Sequence, residues 1–199
     1  METRKLLDTI IDRIFIELEA SGRHVHLTKA QSHALFGHGL TPKRPLSQPG
    51  QFLANERVTV KGPKGEFQNV AVLGPERNET QVEISLTDGR TLGIVPPVRL
   101  SGDTQGTPGA ILVGTMGEVH LQQGVLAAKR HIHLTPEKAE LLGIRDKQIV
   151  KLQTFTDRPV VFEDVVVRIH PEYADYVHLD YDEANACGWK NGDLGRILL

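Results

Sequence analysis

The sequence contains one histidine string twice, and its spacing suits metal binding. RHVHLT begins at Arg23 and returns as RHIHLT at Arg130. Side chains two apart on a strand point to the same face, about 6.6 Å apart along the chain. Two pairs therefore share a face: His24 with His26, and His131 with His133. Two imidazoles on one face can ligate a divalent metal such as zinc. A single His-x-His motif is weak evidence for a metal site. Gene duplication without function could preserve a second copy of the motif, but the repetition favours metal sites.

Each pair requires a further ligand, because a catalytic zinc usually has three protein ligands and one open position. Glu83 lies between Val82 and Ile84 on a predicted strand, where a carboxylate is costly unless it is paired. His178 also stands beside apolar residues in the strand-like run YVHLD. The other histidines are weaker candidates: His33, His38, His120 and His170.

Charged residues near these candidates have two interpretations each. Arg23 and Arg130 could orient an anionic ligand or be exposed charges. An acidic group, Asp180, Asp182 and Glu183, could contribute to a metal site or cap a helix, and the second interpretation is favoured.

Many short β runs separated by turn signals must position these residues, which predicts a mainly β fold. Short helices are predicted in KAQSHALFG, PEKAELLGI and DEANA, and Asp88-Gly89 predicts a hairpin. The repeated order of motif strand and helix indicates two related β-barrel domains capped by short α-helices, with the joint at 124–129.

An amphipathic helix is predicted over residues 3–15, where apolar residues recur at helical spacing. It could cap a core or dock on a partner. The expected boundaries are an N-terminal helix at 1–17, a first barrel at 18–128 and a second barrel at 129–193.

Composition excludes several classes of protein. The 199 residues carry a net charge of −2, which gives no footprint for nucleic acid. No apolar run approaches the roughly 18 residues that span a membrane, and METRKLLDTI lacks the features of a secretory signal. The single cysteine, Cys187, fits a reducing compartment, and the expected location is the cytoplasm or a compartment within it.

A wider set of motifs resembles one family, the PduL-type phosphate acyltransferases associated with bacterial microcompartments. The motifs follow one another in order over residues 18–190: RHVHLT, LFGHG, LSQPGQF, VLGPERNETQVEIS, DGRTLGI, PPVRLSGD, GVLAAKRHIHLTP and HLDYDEANACG. The resemblance implies reversible transfer of a short acyl group, propanoyl or acetyl, between coenzyme A and phosphate.

The resemblance also implies a fold and a site. The fold would be two β-barrels, with a C-terminal strand at about 194–199 completing the first. The site would hold two divalent metals, usually zinc, at the domain junction. The implied ligand sets are His24, His26 and Glu83 for one metal, and His131, His133 and His178 for the other. Arg77, in LGPER, resembles the family's active-site arginine.

The mechanism expected from these residues is direct acyl transfer. Metals would bind phosphate and polarise the thioester carbonyl, and the forked donors of Arg77 would hold phosphate. Backbone amides at Ser101-Gly102-Asp103 are a weaker phosphate-binding candidate. Cys187 raises a ping-pong alternative with a thiolate acyl carrier, although a small buried residue is the favoured interpretation.

Two other functions stay open at this point. A metal-dependent hydrolase of a thioester or phosphate ester could use the same ligands, and so could a noncatalytic microcompartment-associated scaffold. The expected partners are acyl-CoA, CoA and phosphate. Microcompartment shell or core proteins could bind the N-terminal helix, and a homo-oligomer is possible.

Overall fold

A computed structural model describes residues 14–199, and the chain divides into two compact units. The sheet unit is Gly22–Ala128, and the barrel unit is Lys129–Leu199 together with the described residues that end at Ser21. The predicted N-terminal helix lies outside the described residues up to position 13, and Phe15 already begins a strand.

The prediction of a mainly β fold is confirmed, because strands dominate the described residues. The strands are β1 (Phe15–Ser21), β2 (His24–His26), β3 (Pro42–Pro45), β4 (Phe52–Lys61), β5 (Glu66–Gly74), β6 (Gln81–Glu83), β7 (Val98–Arg99), β8 (Ile111–Val113), β9 (Glu118–His120), β10 (Val125–Ala128), β11 (His131–Leu134), β12 (Ile149–Phe155), β13 (Val161–Ile169), β14 (Tyr176–Asp180) and β15 (Leu194–Leu198).

Four short helices occur in the described residues, and each has clear start and stop signals. They are α1 (Lys29–Phe36), α2 (Leu86–Leu92), α3 (Pro136–Leu142) and α4 (Tyr181–Cys187). Their N-caps are Thr28, Ser85, Thr135 and Asp180, whose side chains each accept a backbone N–H of the first turn. Each helix ends at a glycine in the left-handed conformation, which glycine adopts without steric cost.

The helix α2 corrects one prediction. Asp88-Gly89 lies inside this helix and not in a hairpin turn. The physical reason is the capping box, in which the Ser85 hydroxyl accepts the Asp88 N–H and the Asp88 carboxylate accepts the Ser85 N–H. This local signal starts a helix where the dipeptide alone favours a turn.

The barrel unit closes through six strands in the order β1-β14-β11-β13-β12-β15, with β15 pairing back to β1. Alternate side chains fill its interior, as the two-residue strand period requires. Its buried core includes Ile16, Leu18, Ile132, Leu134, Val177 and Leu179.

The sheet unit has nine strands, eight of them in the order β7-β10-β6-β2-β5-β4-β8-β9, with β3 paired to β4. It curls as a half-barrel and does not close as the barrel unit does. Its separate core includes Val25, Leu27, Val72, Val82, Ile84 and Leu112.

Both units have the same pairing around the repeated motif. The motif strand β2 pairs in parallel with β5 and antiparallel with β6. Likewise β11 pairs in parallel with β13 and antiparallel with β14. The strands β10 and β1 then pair in parallel with β6 and β14, respectively. The predicted internal repeat is therefore visible in the strand topology.

Each histidine motif and the strand that precedes it in sequence belong to different units. Strand β1 precedes the first motif but pairs in the barrel unit, whereas β10 precedes the second motif and pairs in the sheet unit. The C-terminal strand β15 pairs with β1 and β12, so it completes the barrel of the second half. The resemblance implied that this strand completes the first barrel, and the structure corrects that expectation. Strand pairing depends on long-range register, which the local sequence pattern does not reveal.

Candidate metal clusters and their surroundings

The first cluster, here the sheet-unit cluster, consists of His24, His26 and Glu83. Val25 and Leu27 point into the core, so the two histidines lie on the opposite face of β2. Glu83 on β6 stands opposite His24 in the antiparallel pairing. Its Oε1 lies 3.6 Å from Nε2 of His24 and 3.9 Å from Nε2 of His26. One potential ligand atom from each of the three lies within 4.8 Å of the others.

A backbone hydrogen bond orients the His24 ring. Its Nδ1–H donates to the Gly22 carbonyl over 2.8 Å, which leaves Nε2 as the unprotonated nitrogen of the neutral ring. Burial opposes a charge on this ring, but the adjacent Glu83 carboxylate outweighs burial and raises the pKa of His24.

Glu83 remains ionised although it is buried. Burial would raise the pKa of this carboxyl, but His24, His26 and the Ser101 hydroxyl hold it well below its usual range. The pKa of His26 is well below its usual value because of burial, the charge of His24 and the charge of Arg77. The sheet-unit cluster thus combines a buried carboxylate with a histidine that favours the neutral, metal-binding form.

A polar network fixes the Glu83 carboxylate. The Ser101 hydroxyl donates to Oε1 of Glu83 over 2.9 Å. The amide of Gln81, which is almost fully buried, donates to the same Oε1 and to Ser101 Oγ. The Gln81 carbonyl accepts the backbone N–H of Gly102 over 2.6 Å, so one side chain connects strand β6 to the 99–107 loop.

Arg77 extends this network. Its guanidinium donates to Ser101 Oγ over 3.4 Å, and its backbone N–H donates to the Leu27 carbonyl over 2.8 Å. Its positive charge lowers the pKa of His24 and His26, although other effects dominate the pKa of both. The structure therefore brings Arg77 and Ser101 next to the sheet-unit cluster, with the hydroxyl between guanidinium and carboxylate.

The second cluster, here the barrel-unit cluster, consists of His131, His133 and His178. Ile132, Leu134 and Val177 enter the core, which leaves the histidines on the opposite face of β11 and β14. His131 stands opposite His178 in the antiparallel pairing. The centroid of the His178 ring lies 4.9 Å from that of His131 and 4.7 Å from that of His133.

His131 is oriented in the same way as His24. Its Nδ1–H donates to the Lys129 carbonyl, two residues earlier, over 2.9 Å. The repeated motif thus repeats a backbone contact that selects the tautomer with Nε2 available for a metal.

His133 carries the strongest observation for a metal in this cluster. Both of its ring nitrogens are buried, and neither has a hydrogen-bond partner among the described residues. Burial, then the charges of His131 and Arg168, lowers its pKa to about 3. Its ring stacks on Tyr173, with centroids 4.0 Å apart. A buried imidazole that stays neutral and has unsatisfied nitrogens fits a metal ligand, because isolated buried polar atoms are costly.

The two arginines of the motif bind carboxylates within their own units. Arg23 donates to both carboxylate oxygens of Asp88, over 2.6 and 3.0 Å. Arg130 donates to Oε1 of Glu183 over 2.6 Å. Asp88 and Glu183 are the third helical residues of α2 and α4, and both complete a capping box. Arg23 and Arg130 therefore make equivalent structural contacts in the two units, in place of the two predicted alternatives of an exposed charge or an anion site.

The acidic group after His178 caps a helix, as favoured. Asp180 is the N-cap of α4 and Glu183 completes its capping box. Burial raises the pKa of both carboxyls, and Arg130 opposes this effect. The weaker histidine candidates, His33, His38, His120 and His170, are exposed.

Comparison with known proteins agrees with these features. A family model described as phosphate propanoyltransferase matches residues 17–190. A phosphate propanoyltransferase of Clostridioides difficile is 50% identical over 98% of this chain and 96% of its own length. Those of Enterococcus faecalis and Listeria monocytogenes are 57% and 54% identical, each over 92% of this chain and 87% of its own length.

This chain belongs to the phosphate propanoyltransferase family. It is therefore an acyltransferase, and the resemblance found in the sequence is confirmed. The range that matches the phosphate propanoyltransferase family, residues 17–190, contains both histidine motifs, Arg77 and Ser101. No helix among residues 14–199 is long and apolar enough to cross a membrane.

Several residues that surround the two clusters were not predicted from the sequence. Gln81 was detectable, because it lies two residues before Glu83 and shares its strand face. Three others depend on long-range pairing that no local pattern reveals: Glu19 beside His178, and Tyr173 and Arg168 beside His133.

Proposed function

We propose that this protein interconverts propanoyl-CoA and phosphate with propanoyl phosphate and CoA, and that it requires divalent metal ions for this reaction. The names of its relatives support the reaction. The observation that carries the metal requirement is the second three-residue cluster, in which the buried His133 has two unsatisfied nitrogens.

Each cluster fits one metal ion. Three protein ligands leave one coordination position open, which is typical of catalytic zinc and not of closed structural zinc sites. Imidazole-rich donor sets favour zinc and related transition metals over magnesium or calcium, which prefer oxygen ligands. We therefore propose Zn²⁺ in both units, with the ligand sets His24, His26, Glu83 and His131, His133, His178.

Arg77 is the proposed phosphate-binding residue. Its guanidinium lies beside the sheet-unit cluster through the Ser101 hydroxyl. Its planar donors suit two phosphate oxygens at once and would reduce the repulsion between the dianion and the Glu83 carboxylate. The Ser101 hydroxyl and the Gly102 region, held by Gln81, would add polar contacts.

The proposed reaction is direct transfer. When bound, the metals supply Lewis-acid polarisation of the thioester carbonyl and charge neutralisation for phosphate. A phosphate oxygen attacks the thioester carbonyl carbon, and the resulting C–S cleavage releases CoA as its thiolate. Phosphate is ionised near neutral pH, so the chain requires no strong general base for this attack.

Cys187 does not suit the role of acyl carrier. Its thiol is fully buried and donates to the Ala184 carbonyl over 3.4 Å. Burial raises the pKa of this thiol, whereas a nucleophilic cysteine needs a lowered pKa and access to substrate. A ping-pong route through this residue is therefore disfavoured.

A phosphate-dependent CoA-release assay tests the proposal. We expect CoA release from propanoyl-CoA, and from acetyl-CoA at a different rate, only when phosphate is present. Removal of metal by a chelator should abolish it and zinc should restore it. CoA release without phosphate would indicate a hydrolase, and metal binding without any turnover would indicate a scaffold. Full activity after complete metal removal would contradict the metal requirement.

Metal content provides an independent check. We expect two zinc equivalents per chain, and one equivalent in His24→Ala or His131→Ala. His120→Ala is the matched control, because this histidine is exposed on β9 and its Nε2 contacts Glu118, which belongs to neither cluster. Unchanged metal content in both motif variants would contradict the assignment of the clusters.

Location and partners follow from the resemblance alone. We propose a place inside a bacterial microcompartment within the cytoplasm, reached through the predicted helix at 3–15. Deletion of residues 1–13 should then leave activity and stability in solution unchanged while encapsulation is lost. Unfolding of the shortened chain would instead indicate a structural role for this segment. An oligomeric assembly is a further proposal, which sedimentation of the purified chain would test.

A further inference from the structure

Glu19 lies beside a proposed metal ligand on the neighbouring strand. In the parallel pairing of β1 with β14, Glu19 stands opposite His178. Oε2 of Glu19 lies 3.3 Å from Nδ1 of His178. Ile16 and Leu18 point into the barrel core, so Glu19 lies on the same outer face as the histidines of the cluster.

The corresponding position in the sheet unit differs. Leu126 on β10 stands opposite Glu83 in the equivalent parallel pairing and is fully buried. There the third ligand is held by Gln81 and Ser101. The two units therefore fix their third ligands by different means, and Glu19 is the carboxylate that the barrel unit provides.

We propose that Glu19 is a positioning residue that orients His178 for metal binding. This inference rests on the proposed function, in which the barrel-unit cluster binds a metal. The Glu19 carboxylate accepts the Nδ1–H of His178 and so fixes the tautomer that leaves Nε2 unprotonated. A carboxylate in this place also makes the imidazole a stronger donor, and loss of such a partner typically weakens metal affinity about 10–100-fold.

His131 receives the equivalent support from a backbone group, the Lys129 carbonyl. No side-chain substitution at Lys129 removes that carbonyl, so Glu19 is the partner that mutation can test directly. Glu17 is the matched control. It lies two residues earlier on the same face of β1 and stands opposite Tyr176, which is not a proposed ligand.

The experiment measures zinc affinity of the full chain by competition with a chelator. Glu19→Ala should raise the dissociation constant of one of the two zinc equivalents about 10–100-fold. Glu19→Gln should raise this dissociation constant less, because the glutamine carbonyl still accepts the Nδ1–H of His178 but carries no negative charge. Glu17→Ala should bind both equivalents as tightly as the unsubstituted chain. In the cobalt-substituted protein, only the Glu19 variants should alter the visible absorption of the metal.

The same measurements in a His24→Ala background assign the effect to the barrel-unit cluster. Equal affinity in Glu19→Ala and Glu17→Ala would overturn the role of Glu19 while leaving the proposed function intact. A wild-type chain that takes up no metal would overturn both. If Glu19→Ala fails to fold by circular dichroism, Glu19→Gln decides: weaker binding of one equivalent supports the proposal, and unchanged affinity overturns it.

Discussion

Arg23 holds Asp88 through two hydrogen bonds, from Nε and from a terminal nitrogen, over 3.0 and 2.6 Å. Asp88 belongs to the helix that begins directly after the strand of Glu83. The first residue of the motif is thereby joined to the helix that follows Glu83. Arg130 and Glu183 repeat this relationship around His178, so the repeated arginine preserves a structural contact.

Replacement of Arg23 by alanine should destabilise the protein by roughly 2 kcal/mol. Removal of one partner of a buried ion pair costs about 3–5 kcal/mol, but the Arg23 side chain is 38% exposed, which reduces the loss. Unfolding by urea would measure it. Arg99→Ala is the control, because its pair with Asp103 is exposed on both sides and should contribute less than about 1 kcal/mol. Equal losses in the two variants would contradict this account of Arg23.

The members of both clusters were predictable from the sequence, and the family resemblance assigned Glu83 and His178 to their histidine pairs. Strand alternation is local, so the histidine pairs could be placed on one face without knowledge of the fold. Glu83 and His178 were recognisable because polar groups between apolar neighbours on a strand require a partner. In each predicted set of three residues, the structure places one potential ligand atom of each side chain within 4.8 Å of the others.

The sheet membership of several strands was not predictable, because it depends on pairing between distant segments. Nothing local in Phe15–Ser21 shows that this strand pairs with Tyr176–Asp180 and not with the motif that follows it. The place of β15 and the contact of Glu19 with His178 were missed for the same reason. The helix α2 is a different case, because the residues of its capping box, Ser85 and Asp88, are local in sequence, whereas the hairpin prediction rested on Asp88-Gly89 alone.

The metal-free protein should lose stability on acidification because of His133. Its pKa is about 3 in the folded state, compared with 6.5 in the unfolded chain. Below pH 6.5 the unfolded chain therefore binds a proton that the folded chain does not. The contribution of neutral His133 to the free energy of unfolding is therefore complete above pH 6.5. It falls by roughly 1.4 kcal/mol per pH unit as the pH is lowered toward 3.

Urea unfolding of the chelator-treated protein between pH 7 and pH 4.5 would measure this slope. His133→Asn should reduce it by about that amount per pH unit, whatever its effect on stability at pH 7. His120→Asn should leave the slope unchanged, because this residue is exposed. An identical slope in His133→Asn and the unsubstituted chain would show that His133 is not kept neutral by its environment.

Gln81→Leu should impair catalysis through Glu83 and the Ser101 loop. The buried amide donates to Glu83 and Ser101 and accepts from Gly102, and leucine of similar size makes none of these contacts. Buried groups left without partners cost about 1–3 kcal/mol each. We expect weaker zinc binding at one equivalent and a lower kcat. Retention of both in a folded Gln81→Leu protein would refute the positioning role of this network.

Cys187→Ala should retain activity within about twofold, because a buried thiol bonded to the Ala184 carbonyl has no access to substrate. The cost should be a stability loss on the order of 1 kcal/mol, typical of a small buried deletion. Steady-state kinetics and urea unfolding of the same preparation would separate the two effects. Loss of activity with both metals still bound would restore the thiolate route.

Arg77→Ala should raise the KM for phosphate about 10–100-fold while the KM for propanoyl-CoA changes little. Hydrogen bonds to charged groups contribute about 1.5–3 kcal/mol, which corresponds to this range. Arg77→Lys should recover only part of the loss, because a single ammonium cannot reproduce the planar pair of donors. Arg158→Ala is the control for the loss of one positive charge, since this residue is exposed and its guanidinium donates to the Asn185 carbonyl. An unchanged KM for phosphate in Arg77→Ala would show that its contact with Ser101 serves the loop and not the substrate.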